Sequence, residues 1–343
     1  MAEAIPDFTP VNLLTGFLGS GKTTLLQRLL RDQALSDCAV LVNEFGEVGL
    51  DHHLLERIDE TMVLLQSGCL CCTIRGELSD AVRDLHGRRE RGEIPAFRRL
   101  VIESTGLADP FPILSTIHSD PVLRHHYCLG NVIATVDAVN AMDQLDRQEE
   151  SVKQIAVADR LVLTKTDLAD AATTRRLLAR IRAINPGAPL WRGAEEEVPA
   201  EALIGLDASA AAAAHAGAVT PARSHHHHQD RNRHDSNIHA FALTFGEPLD
   251  WTIFGIWLTM LLNRHGADIL RVKGILDIAG SAAPVAVHGV QHLVHPPVHM
   301  AAWPDGERLS RIVFIVRGLE RASVERSLRA FLGQTAGREA KVA

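Results

Sequence analysis

The chain has 343 residues, of which 46% are hydrophobic and 22% charged, and a formal net charge of -7. That is an ordinary globular composition with room for two domains. The negative balance argues against a nucleic-acid binder, and no apolar run reaches the roughly 18 residues needed to span a bilayer. The opening stretch "MAEAIPDFTP" has neither the basic start nor the apolar core of a secretory signal, so a cytoplasmic protein is expected. There clustered thiols stay reduced and point to metal or redox chemistry.

In chain order, short β-branched runs alternate with helical stretches over the first 190 residues. The runs are "VNLLT" (11–15), "AVLVN" (39–43), "MVLLQ" (62–66), "LVIES" (100–104), "VIATV" (132–136) and "RLVLT" (160–164). Continuous apolar runs of this length suit strands buried on both faces, so a mostly parallel sheet with helices on both sides is expected.

Directly after the first run comes "GFLGSGKTT" (16–24), which fits G-x-x-x-x-G-K-[ST] between a strand and a helix. Gly16, Gly19 and Gly21, with Ser20 between them, let the backbone N–H groups face phosphate oxygens, and the helix N-terminus adds partial positive charge. Lys22 is expected to reach the β and γ phosphates, Thr23 to ligate Mg²⁺, and Thr24 to complete the loop. "NEFGEVGLD" (43–51) lies where a first switch would, making Glu44 and Asp51 candidate Mg²⁺ or metal contacts.

"QSGCLCCTIRGEL" (66–78) holds Cys69, Cys71 and Cys72. A redox dithiol normally reads C-x-x-C, and a disulfide between neighbours is strained. A closed zinc site wants a fourth ligand, which the local sequence lacks. An open, exchangeable soft-metal site is the reading, for Zn²⁺ first, with Cu⁺ or Co²⁺ as alternatives. Cys38 and Cys128 read as buried filler. "VIESTG" (101–106) places Glu103 to hold Mg²⁺ through water or orient the attacking water, and Gly106 to offer its N–H to the γ-phosphate. "TKTD" (164–167) resembles the Asn-Lys-x-Asp base reader of GTPases. Asp167 would accept two hydrogen bonds from guanine, Lys165 would pack along the base, and Thr164 stands in for the usual Asn.

The composition then changes. An Ala-rich stretch (207–223) is followed by "SHHHHQDRNRHDSNIH" (224–239), a linker in which His225, His226, His227 and His228 are auxiliary metal candidates. A second pattern starts at "AFALTF" (240–245). It continues through a helix at 251–266, strands at 269–280, 283–294 and 310–318, and a last helix at 320–333, suggesting an α+β sandwich of ferredoxin-like type. His52, His53 and His288 read as ordinary histidines.

Taken together, "TGFLGSGKTT", "NEFGEVGLD", "SGCLCCTIRGEL", "IESTGLADP", "TKTDL", "LRVKGIL" and "VHGVQH" resemble the CobW-type GTPases, a group of zinc metallochaperones, nitrile hydratase activators and cobalt-insertion proteins. The resemblance implies a SIMIBI-type P-loop G domain (1–205), a flexible linker (206–237) and a smaller α+β CobW C-terminal domain (238–343). It implies that the three clustered cysteines bind a transferred metal. The expected function is a GTP-hydrolysing metallochaperone that delivers zinc to a client metalloprotein, with a homodimer among its allowed assemblies. The rival readings are an assembly factor for one metalloenzyme and, from another class, a small-molecule kinase.

Overall fold

The computed structural model describes residues 8–42, 74–193, 198–204, 238–304 and 306–339. Among these the chain divides into two compact units.

The first unit is built on six parallel strands: β1 (Thr9–Gly16), β2 (Cys38–Val42), β3 (Arg99–Glu103), β4 (Tyr127–Asp137), β5 (Arg160–Thr164) and β6 (Leu190–Arg192), in the order β2-β3-β1-β4-β5-β6. β1 runs parallel to β3 on one side and to β4 on the other. Every residue of β1 is buried, and so is every residue of β3. Strands covered on both faces cannot alternate apolar with polar, which is why they read as continuous apolar runs. One layer of core joins Leu14, Leu26, Val40, Val101 and Val162 beneath helix Lys22–Leu30. The expected runs at 11–15, 39–43, 100–104, 132–136 and 160–164 all fall on strands; the run at 62–66 lies outside the described residues. β6 was not expected. It has three half-buried residues at the sheet edge, too short to leave a periodic signal.

The second unit is an antiparallel sheet of β7 (Ile238–Phe245), β8 (Ile269–Leu276), β9 (Val285–Val290), β10 (Leu293–Val294) and β12 (Ser310–Arg317), in the order β10-β9-β8-β12-β7, with β11 (Val298–His299) pairing off β9. Helix Trp251–His265 starts where the Asp250 carboxylate accepts from the Ile253 N–H (2.9 Å). It buries Phe254, Trp257, Leu258, Leu261 and Leu262. The core includes Phe314, stacked on Phe241 (ring centroids 5.4 Å apart) and met edge-on by Trp257 (6.4 Å). The Trp257 indole N–H donates to the Ser327 hydroxyl of helix Arg321–Glu339 (2.9 Å). The ferredoxin-like expectation needs correction. The second helix follows the last strand instead of bridging two strands, and β12 inserts between β7 and β8.

Among the described residues, no helix is long and apolar enough to cross a membrane.

Candidate functional site

The carboxyl ends of β1, β3, β4 and β5 lie side by side, and the expected phosphate, acid and base motifs all sit there. β1 ends at Gly16 and helix Lys22–Leu30 begins six residues later. Gly16 takes φ +138, and a Cβ there would overlap the Thr135 hydroxyl and stand 2.5 Å from the Thr135 carbonyl. No side chain fits, so the loop can tuck against β4 only with glycine at this position. Gly19 and Gly21 also take positive φ (71° and 88°). Gly21 is the N-cap and brings no capping side chain to the helix N-terminus, so the first-turn N–H groups form a positive cradle. The Ser20 hydroxyl bonds Thr135 Oγ1 (2.6 Å), and the buried Lys22 ammonium donates to the carbonyls of Gly16 (3.0 Å) and Phe17 (3.1 Å). Thr24 is exposed on the first turn.

Glu103, 5% exposed at the end of β3, accepts a 2.8 Å hydrogen bond from Thr23 Oγ1. A hydroxyl and a carboxylate thus converge beside the glycine cradle, the hard-oxygen donor set that Mg²⁺ takes beside phosphates. The residues fit a Mg²⁺-nucleotide. Beyond Glu103, the Ser104 N–H donates to the Leu14 carbonyl (2.9 Å) and its hydroxyl to Thr15 (3.0 Å), which locks this turn to β1. Gly106 then approaches the phosphate loop so closely that a Cβ would stand 2.5 Å from the Leu18 nitrogen.

The base-reading stretch follows β5. The Thr164 hydroxyl donates to the Ser20 carbonyl (2.8 Å) and lies 3.2 Å from the Val136 carbonyl, so it braces this turn against the phosphate loop. Lys165 takes φ 56°, an uncommon region for a residue with a Cβ. Its ammonium pairs with Asp137 Oδ2 at 2.8 Å. Asp137, 1% exposed, also accepts from the Val139 N–H (2.8 Å) and from the Asn140 side-chain amide (2.9 Å). Burial by itself would raise its pKa. The hydrogen bonds from Lys165, Asn140 and Val139 outweigh burial and hold the carboxyl below its ordinary 3.8. Asp167 is exposed at the mouth of the turn, and Leu168 beyond it is 70% exposed.

Residues 10–192 match the model of the CobW/HypB/UreG nucleotide-binding domain, and residues 238–332 match that of the cobalamin synthesis protein cobW C-terminal domain. The chain belongs to the CobW/HypB/UreG family. It is 36% identical over 305 residues to the zinc chaperone YjiA of Escherichia coli, covering 89% of this chain and 93% of that one. It is 32% identical over 355 residues to the zinc chaperone CobW of Pseudomonas aeruginosa, covering 94% and 91%. Its fold is similar to the crystal structure of Zn(II)-bound YjiA GTPase from E. coli, with a TM-score of 0.72 at 31% identity, over 96% of this chain and 99% of that one.

In this CobW-family chain the structure brings Gly16 to Thr24, Glu103, Gly106 and Thr164 to Asp167 to one end of one sheet. Cys69, Cys71, Cys72, Glu44, Asp51 and His225 to His228 lie outside the described residues. Sequence reasoning passed over Thr135, Asp137 and Gln154. Asp137 had a faint signal, an acid closing the apolar run "VIATVD" with Asn140 three residues on. Gln154 had none, since it lies mid-helix and its partners are almost fifty residues away.

Proposed function

We propose that this protein is a GTPase that couples GTP hydrolysis to delivery of a transition metal, zinc first, to a client metalloprotein. The observation that carries this reading is the convergence of Thr23 and Glu103 beside a glycine-lined phosphate cradle, in a chain whose relatives are named zinc chaperones. The triphosphate lies on the N–H groups of Gly16 to Thr24, where the helix N-terminus and Lys22 balance its charge. Thr23 and Glu103, with Glu44 as a further candidate, hold Mg²⁺, which when bound draws charge from the phosphate oxygens. Glu103 also stands where it can orient the attacking water, and Gly106 directs its N–H to the γ-phosphate. Asp167 accepts from the guanine edge, with Lys165 alongside the base and Thr164 bracing the turn.

Cys69, Cys71 and Cys72 are the proposed cargo site, with zinc as first cargo and cobalt as second. His225, His226, His227 and His228 are auxiliary ligands on the linker. Thiolates this close suit a soft metal that must later leave. The proposed division is a G domain at 1–205, a linker at 206–237 and a client-facing domain at 238–343. The proposed setting is the cytoplasm, and a homodimer is the proposed assembly.

The test is competitive titration of Zn²⁺, Co²⁺ and Cu⁺ with GTP, GDP or no nucleotide, on the full chain and on Cys71→Ser. The variant should bind zinc at least about tenfold more weakly, since even outer-shell losses cost that much, while GDP affinity stays unchanged. Equal zinc affinity in both proteins would remove the thiol site. Phosphate release accompanied by a phosphorylated small molecule would replace the GTPase with a kinase.

A further inference from the structure

Gln154 lies in helix Glu149–Val157 and is 1% exposed. Its Nε2 donates to the carbonyls of both Gly106 (3.1 Å) and Ala108 (3.1 Å). An amide nitrogen has two protons, and here both are committed to main-chain oxygens of one turn. Its Oε1 is buried and has no hydrogen-bond partner among the described residues. A buried acceptor left unpaired costs stability, and flipping the amide would only exchange that loss for two lost donors. The side chain is therefore oriented by the turn it holds. The neighbouring Lys153 pairs with Asp109 at 3.2 Å, so two consecutive residues of one helix tether 106–109 at three points. On its other side Gly106 is pressed against Leu18 of the phosphate loop.

Glycine's backbone torsions are the loosest of any residue. With the Gly106 carbonyl held by Gln154 and the Thr105 carbonyl of the preceding peptide accepting from the Ala108 N–H (3.1 Å), the peptide planes on both sides of the glycine are tied, and with them the direction of its own N–H. We infer that Gln154 is a positioning residue that presets Gly106 for the terminal phosphate, so that it governs the discrimination of GTP from GDP without touching either nucleotide. This inference rests on the GTPase reading. GDP uses the cradle and the base turn but has no γ-phosphate to meet Gly106, so the two nucleotides should respond differently to loss of the clamp.

The experiment uses the full chain with Gln154→Met, which keeps the volume and removes both donors. Affinities for GDP and for a non-hydrolysable GTP analogue are measured together with phosphate release. The expected result is GDP binding within about twofold of wild type and analogue binding weakened roughly tenfold, the scale of lost hydrogen bonds, with slower turnover. Equal losses for both nucleotides would reduce Gln154 to a packing residue, and no loss for either would also overturn the inference. A wild-type protein that binds neither nucleotide would instead overturn the GTPase reading itself. If Gln154→Met does not fold, Gln154→Glu tests the same point at nearly the same shape. A protonated carboxyl there keeps one of the two donors, and a smaller selective loss of the analogue is expected. An unchanged GTP-to-GDP ratio in that variant would sink the proposal.

Discussion

His86 shows how a single residue can carry the pH dependence of a fold far from the catalytic loops. It lies on helix Ile74–Glu90 with its ring 4.3 Å from that of His126 and 5.8 Å from that of Tyr127, while Arg89 Nη2 stands 3.2 Å from its Nδ1. Burial first, and then the charges of His126 and Arg89, push its pKa below the ordinary 6.5, against a weaker pull upward from Glu90. The folded chain keeps His86 neutral to a lower pH than the unfolded chain does. This contribution is therefore complete above about pH 6.5 and is lost as pH falls from there through the folded-state pKa. The melting temperature followed from about pH 7 to about pH 5 should drop less steeply in His86→Phe than in wild type. Parallel curves would mean that the ring pair carries none of the acid sensitivity. At the same scale, the phosphate loop was legible in the sequence because its chemistry is local. Asp137 left only a faint signal and Gln154 none, because each acts on a partner almost thirty or more residues away: the Asp137 pair with Lys165 needs β4 beside β5, and the Gln154 contacts need its helix packed on the turn after β3.

Elements whose stability is set by their own residues were the ones most readily read. β5 falls on 160–164 as expected, because its buried centre, Leu161 to Leu163, is continuously apolar. Helix Trp251–His265 falls on the helix expected at 251–266. Asp250 illustrates the local logic. Its carboxylate accepts from Ile253 N, a side-chain cap on the helix N-terminus, and Asp250→Ala should cost about 1 kcal/mol. Denaturant unfolding should show this as a lower midpoint with an unchanged slope. A midpoint equal to wild type would mean that solvent replaces the cap. The order of strands in the second sheet was not legible, because the helical and strand periods recorded in the sequence say nothing about which strand inserts between two others. β12 pairs with both β7 and β8 although it is the last strand among the described residues.

Across the whole molecule, the second unit has a core of its own, in which Phe254, Trp257, Leu276, Phe314 and Leu328 are all 1% exposed or less. Such a core is the mark of a segment that can fold alone. A fragment of residues 238–343 should therefore give a cooperative thermal transition and dispersed amide NMR signals. A fragment with neither would mean that this core forms only in the full chain. The first unit has a different dependence. Its site draws Gly16 from β1, Glu103 from β3, Asp137 from β4 and Thr164 from β5, four neighbouring strands whose contributions to the site span almost 150 residues of chain. Parallel strands joined by crossovers must each wait for the next to arrive. A chain emerging from the ribosome has its phosphate loop early, yet the four strand ends that meet at this site come together only once β5 has been made and paired with β4. Assembly of the whole site is therefore among the last steps in building this sheet, with only β6 still to be added at its edge.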